Sequence, residues 1–125
     1  MSLSSEKQPT QNVGTELLFE NNTVRMWSME LAPGEFSPLH RHDLDYVIVY
    51  VTPSRISLLR ADEVQTTEDF DDGYVQYIHV EGSIVHQIRN ENTIRHRQII
   101  VELKVTNGDS QTADNGRKRP IAPDA

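Results

Sequence analysis

The stretch Pro33-Gly34-Glu35-Phe36-Ser37-Pro38-Leu39-His40-Arg41-His42, followed by Asp45-Tyr46-Val47-Ile48-Val49-Tyr50-Val51, decides the fold of this chain. It sets a glycine turn and two histidines, one residue apart, before a run that is almost wholly β-branched or aromatic. Such a run favours a strand. Residues i and i+2 of a strand face the same side, so His40 and His42 can aim their imidazoles at one point, as a metal ion requires. If the chain stays extended past His42, Tyr46 shares that face and Asp45 looks away. A third histidine, His86, lies in a second β-prone segment, Ile84 to Asn90.

The surrounding sequence also reads as strands. Val24 to Leu31 ends at the turn signal Ala32-Pro33-Gly34, and Asp45 to Val51 stops at Thr52-Pro53-Ser54. Arg55 to Arg60 follows, and a hairpin with the preceding strand is expected. Ala61 to Phe70 is acidic and polar, a loop or an irregular edge strand. Asp71-Asp72-Gly73 is a turn, Tyr74 to Val80 a strand, and Arg97 to Val105 the last strand. Glu16 to Glu20 is either a short turn or an edge strand. No segment offers a ten-residue helix. Many short strands at this spacing indicate an all-β sandwich or barrel, spanning 15–106. Residues 1–14 read as a loose polar arm and 107–125 as a polar tail too poor in apolar groups to fold alone.

Composition narrows the function. The 125 residues suit one domain with a real core. Cysteine is absent, which removes disulfides and thiolate chemistry. A net charge of −7 argues against nucleic acid as the partner, since phosphate binding needs a basic face. No 18-residue apolar run suggests a membrane span, and the N-terminus lacks the apolar stretch of a secretion signal, so a cytoplasmic protein is expected. Phosphate loops, nucleophile elbows and His-Glu-x-x-His are missing.

Gly34, five residues, then His40-Arg41-His42, together with Gly82, His86 and Asn90, resemble the two motifs of a single-domain cupin. The resemblance covers roughly Val24 to Val105. It is nearest to short bacterial cupins with a His-Arg-His-x-x-Asp-Tyr-Val-x-Val signature, here His40 to Val49, some of them associated with β-alanine catabolism. It implies a jelly-roll barrel and a divalent metal (iron, manganese, nickel or zinc) held by His40, His42 and His86. Two features depart from the family pattern. Tyr46 stands where the family usually has a glutamate ligand, and three residues rather than two separate Gly82 from His86. A slip of one residue flips the side-chain face of a strand unless a bulge absorbs it.

Several roles stay open. Tyr46 either ligates the metal or lines the pocket as a proton donor or orienting group, and it is the one catalytic candidate. Asp45 is a turn carboxylate or a direct ligand. Asn90 fixes a turn, His79 and His96 are ordinary surface or strand residues, Trp27, Met29 and Ile48 are core, and Arg25 lies on the surface or reaches inward to a carboxylate. Two functions follow. One is a metalloenzyme of dioxygenase, isomerase, lyase or decarboxylase type acting on a small metabolite. The other is a non-catalytic barrel that binds or senses a small ligand. The resemblance further implies a homodimer.

Overall fold

Alternation of buried and less buried side chains marks the strands that line the core. In the computed structural model, which describes residues 8–60 and 65–104, the described residues form nine strands and no helix. They are β1 (Glu16–Glu20), β2 (Val24–Leu31), β3 (His40–His42), β4 (Tyr46–Tyr50), β5 (Ser54–Arg60), β6 (Thr66–Phe70), β7 (Val75–Ile78), β8 (Ile84–Asn90) and β9 (His96–Leu103). A five-stranded sheet runs β1-β2-β9-β4-β7 and a four-stranded sheet β3-β8-β5-β6. Every strand pairing is antiparallel. Along β4 the odd-even pattern is complete: Tyr46, Ile48 and Tyr50 are buried while Val47 and Val49 are only partly so. The inward faces of both sheets meet in one core containing Met29, Leu31, Ile48, Ile56, Ile88 and Ile100. Each such side chain, fully buried, contributes roughly 1.5–3 kcal/mol.

The expected hairpin between β4 and β5 does not form. β4 pairs with β9 and β7, and β5 pairs with β8 and β6. The Thr52-Pro53 connection hands the chain from one sheet to the other, and adjacency in sequence does not become adjacency in the ladder. Glu16–Glu20 is an edge strand with an irregularity between Leu17 and Phe19. Thr66–Phe70 is the edge strand of the smaller sheet, while 61–64 lie outside the described residues.

Of the arm expected over 1–14, residues 8–14 are described and lie against the barrel. Thr10 N–H donates to Leu39 O at 3.0 Å and Thr10 O accepts from Arg41 N–H at 2.9 Å, and Val13 is fully buried. At Gly14 an added Cβ would stand 2.5 Å from Trp27 Cβ and 2.8 Å from Ser28 O. Gly14→Ala is therefore expected to cost about 1–3 kcal/mol through overpacking, read as a lower urea midpoint at unchanged slope. An unchanged midpoint would mean that this segment does not dock. The tail expected over 107–125 lies outside the described residues.

Candidate metal centre

β3 and β8 lie side by side, with His40 opposite His86 and His42 opposite Ile84. The antiparallel register makes His40 and His86 a direct cross-strand pair and sets His42 two residues along the same face. One ring nitrogen from each histidine lies within 4.8 Å of the other two, so the three could hold a metal ion. The rings are 4.7 to 5.0 Å apart between centroids and cross at 78° to 83°. All three are buried. The extra residue after Gly82 is taken up before β8 begins at Ile84. Gly82 sits there at φ 79°, and the β8 register runs on unshifted.

Protonation favours ligation. Burial pushes the His42 imidazolium down to about 2, with repulsion from His86 and His40 adding to it. Burial likewise takes His86 down to about 3, assisted by His40 and Arg60. His40 is lowered by burial, against the opposing pull of the Pro38 carbonyl and the Glu102 charge. All three are neutral at pH 7, the form that offers a lone pair to a metal. His40 Nδ1 lies 2.9 Å from Pro38 O. A carbonyl only accepts, so Nδ1 carries the proton and Nε2 is the free ligand atom. Nδ1 of His42 and of His86 is buried with no hydrogen-bond partner. Each orphan costs about 1–3 kcal/mol, which a purely structural core would not retain. The donor set fits a divalent ion of the imidazole-preferring kind, with positions left for water or substrate.

Tyr46 comes from the opposite sheet. The turn at 43–45 carries the chain across, and both sheets face inward, so the residue still arrives on the histidine side. Its ring stacks on His42 at 3.9 Å and 10°. Burial raises its phenol well above the ordinary value, partly offset by the Arg60 charge, so the hydroxyl stays protonated.

Asp45 faces away from the centre. It accepts from the Tyr77 hydroxyl at 2.6 Å and from Val80 N–H at 2.9 Å, and His79 Nδ1 lies 3.1 Å from its Oδ1. Burial raises its pKa, but the bonds from Tyr77, Val80 and His79 outweigh that and hold it low. Asp45→Ala is expected to cost about 1–3 kcal/mol in urea denaturation and to leave metal content unchanged. A loss of metal instead would make Asp45 part of the centre.

Asn90 ties the two motif regions together. Its Nδ2 donates to Leu31 O and Ile94 O, its carbonyl accepts from Gly34 N–H at 2.8 Å, and Gly34 turns there at φ 82°. Only glycine takes that conformation at little cost.

Between the sheets, next to the histidines, lies a cavity of about 290 Å³. Its walls mix apolar side chains with polar ones; beyond the histidines and tyrosines, the polar ones are Arg60, Thr66, Glu68, Gln76 and Gln98. Arg60 stands opposite His86 in the β5–β8 register. The sequence reading missed three interior groups on β9. His96, expected as an ordinary surface or strand residue, is 1% exposed, and Gln98 and Glu102 are buried on the same face. Glu102 Oε1 accepts from Arg25 Nε at 2.6 Å and from Trp27 Nε1 at 2.8 Å, so Arg25 does reach inward to a carboxylate, one supplied by the protein. The period-2 spacing of 96, 98, 100 and 102 around Ile100 was the available signal.

No family model and no curated protein matches the chain. Solved structures do. A cupin domain from Bordetella pertussis Tohama I superposes with a TM-score of 0.66 at 23% identity, covering 79% of this chain and 99% of that one. An RmlC-like cupin family protein from Methanocaldococcus jannaschii gives 0.57 at 18% identity, covering 77% and 86%. An oxalate decarboxylase from Bacillus subtilis gives 0.50 at 19% identity, covering 66% of this chain and 21% of that one. Together with the two facing antiparallel sheets, these likenesses make the fold of this chain that of a small cupin, the double-stranded β-helix.

Proposed function

We propose that this protein is a metalloenzyme acting on a small metabolite, with a divalent ion held by His40, His42 and His86. The observation that carries the reading is the meeting of three buried, neutral imidazoles, two of them with an orphaned Nδ1, at the side of a cavity between the sheets. A divalent ion bound there would polarise a substrate oxygen or activate water. The chain's own residues do the rest. The His40 Nδ1–H bond to Pro38 O fixes one ring's orientation. The apolar walls exclude bulk water and strengthen every charge interaction within. Tyr46 holds a proton at its hydroxyl beside the centre and is the general acid.

A second reading, a non-catalytic ligand-binding barrel, draws on one observation: among the described residues no carboxylate joins the three histidines in the cluster. The two readings separate in one experiment. Metal-loaded and chelated protein are incubated with the small-molecule fraction of a cell extract, and products are followed by mass spectrometry. Turnover that disappears on chelation and in Tyr46→Phe, whose metal content is retained, supports the enzyme. A compound that is retained by the protein but never converted supports the binding module. The reading also includes a cytoplasmic location and a homodimer. Leu17, Leu18 and Phe19, 46%, 42% and 51% exposed on edge strand β1, are in keeping with a second copy covering that edge.

A further inference from the structure

Two amides stand in the cavity wall that the five-stranded sheet supplies. Gln76 on β7 and Gln98 on β9 are 8% and 4% exposed, and both line the cavity. Gln76 Oε1 accepts from the Tyr50 hydroxyl at 3.2 Å. Gln98 Oε1 lies 2.8 Å from His96 Nε2, and since an amide oxygen only accepts, the imidazole N–H is the donor. His96 Nδ1 in turn lies 2.8 Å from Ser54 Oγ, so the ring is held from both sides. Both amide oxygens are engaged, and the two Nε2 groups have no hydrogen-bond partner among the described residues. Neither Nε2 is among the fully buried unpaired atoms, so both open on the cavity, where an acceptor can reach them.

The register gives the spacing. Tyr46, which stacks on His42, is followed inward by Ile48 and then Tyr50. Gln76 stands opposite Ile48, and Gln98 opposite Tyr50. Each inward step is roughly 7 Å of strand. Ile48, Ile100 and Gln76 stand at one level, one step from Tyr46, and Gln98 stands one step further, so the two amides follow an apolar pair along the wall.

We propose that the cavity takes a short organic acid bearing hydrogen-bond-accepting oxygens at both ends, a dicarboxylate or oxocarboxylate. Its near end meets the histidine centre, and its far end accepts from Gln76 and Gln98. The near end rests on the metal-centre reading; the far end does not. Glu68, on the exposed edge strand β6 and opposite Ile56, is the one carboxylate in the wall among the described residues and sets the competing possibility, a ligand with an amine at its far end.

Calorimetric titration of the cobalt(II)-loaded full chain with butanedioate, pentanedioate, butanoate and 4-aminobutanoate tests this. A hydrogen bond to a charged acceptor is worth a factor of about ten or more in affinity. At least one diacid is therefore expected to bind about tenfold or more tightly than butanoate. Gln76→Met removes one donor. Gln98→Glu keeps the acceptor for His96 while replacing the donor with a repelling oxygen. Each variant is expected to erase the diacid preference while cobalt content and butanoate affinity hold. Melting curves of both show which are folded, and either one suffices. Equal binding of butanoate and the diacids overturns the proposal, as do a preference for 4-aminobutanoate, a diacid preference unmoved in a folded variant, and failure of any diacid to bind. A protein that takes up no cobalt overturns the metal-centre reading alone, and the same titration on metal-free protein still reads the diacid preference.

Discussion

Replacing His42 with leucine is expected to abolish metal binding and to leave the metal-free barrel close to or above the wild type in stability. His42 is 1% exposed, its imidazole is neutral, and its Nδ1 is buried without a partner. Leucine removes that orphaned group, which relieves about 1–3 kcal/mol. The loss on the other side is the stacked contact with Tyr46, about 0.5–1.5 kcal/mol. The metal-free protein therefore changes by about −0.5 to +2.5 kcal/mol, positive being stabilising. With metal present the sign reverses. A ligand at a thousandfold its dissociation constant stabilises the fold by about 4 kcal/mol. Removing one of three ligands should weaken metal binding beyond the 10–100-fold typical of losing an outer-shell partner. Thermal melts with added zinc or manganese, and again with chelator, check this. The wild type should melt higher with metal and the variant should not respond, while with chelator the variant should match or exceed the wild type. If the wild type ignores metal and His42→Leu loses several degrees, His42 is a core residue and the metal centre is wrong. The excess polarity at this site is a cost to stability that function would explain.

The second large effect is acid sensitivity of the metal-free protein. Each of the three histidines has its folded pKa depressed, with His42 at about 2 and His86 at about 3. In the unfolded chain they titrate near 6.5. Below 6.5 the unfolded state takes up protons that the folded state refuses, so stability is full above that pH and falls as pH drops toward the folded values. His42 and His86 each contribute a slope approaching about 1.4 kcal/mol per pH unit below that pH. Together they remove roughly 3 kcal/mol per unit, with His40 adding in the same direction, against a typical domain stability of 5–15 kcal/mol. His96, also lowered by burial against its Gln98 bond, adds to the same slope. Urea midpoints of chelated protein at pH 7.5, 6.5 and 5.5 should be nearly level over the first step and drop steeply over the second. In a variant with leucine at 40, 42 and 86 the drop should shrink to what His96 alone supplies. Equal midpoints at 7.5 and 5.5 would show that the imidazoles are not enclosed as described. Metal, which competes with protons for the same nitrogens, should restore stability at pH 6.

What could be read from residues alone were the properties that a strand carries locally. Side-chain alternation placed His40 with His42 and Tyr46 with Ile48 and Tyr50, because the period of two belongs to the backbone itself. Gly34 and Gly82 marked turns because each takes a positive φ that other residues avoid. The same logic, applied to β9, would have turned His96, Gln98 and Glu102 inward, but polar residues at inward positions look like a solvated face until a partner is known. Which strand lies beside which was beyond any local signal. The β4–β5 hairpin suggested by proximity gave way to pairing of β4 with β9, some fifty residues away, because burying both apolar faces requires two sheets and the chain must cross between them. That crossing brings His86 opposite His40, carries Tyr46 over His42 from the other sheet, and encloses the two glutamines in the same cavity. The sequence by itself determined an all-β chain with histidines facing one way. Only the tertiary structure decided that three of them meet, because their convergence depends on non-local strand order and register.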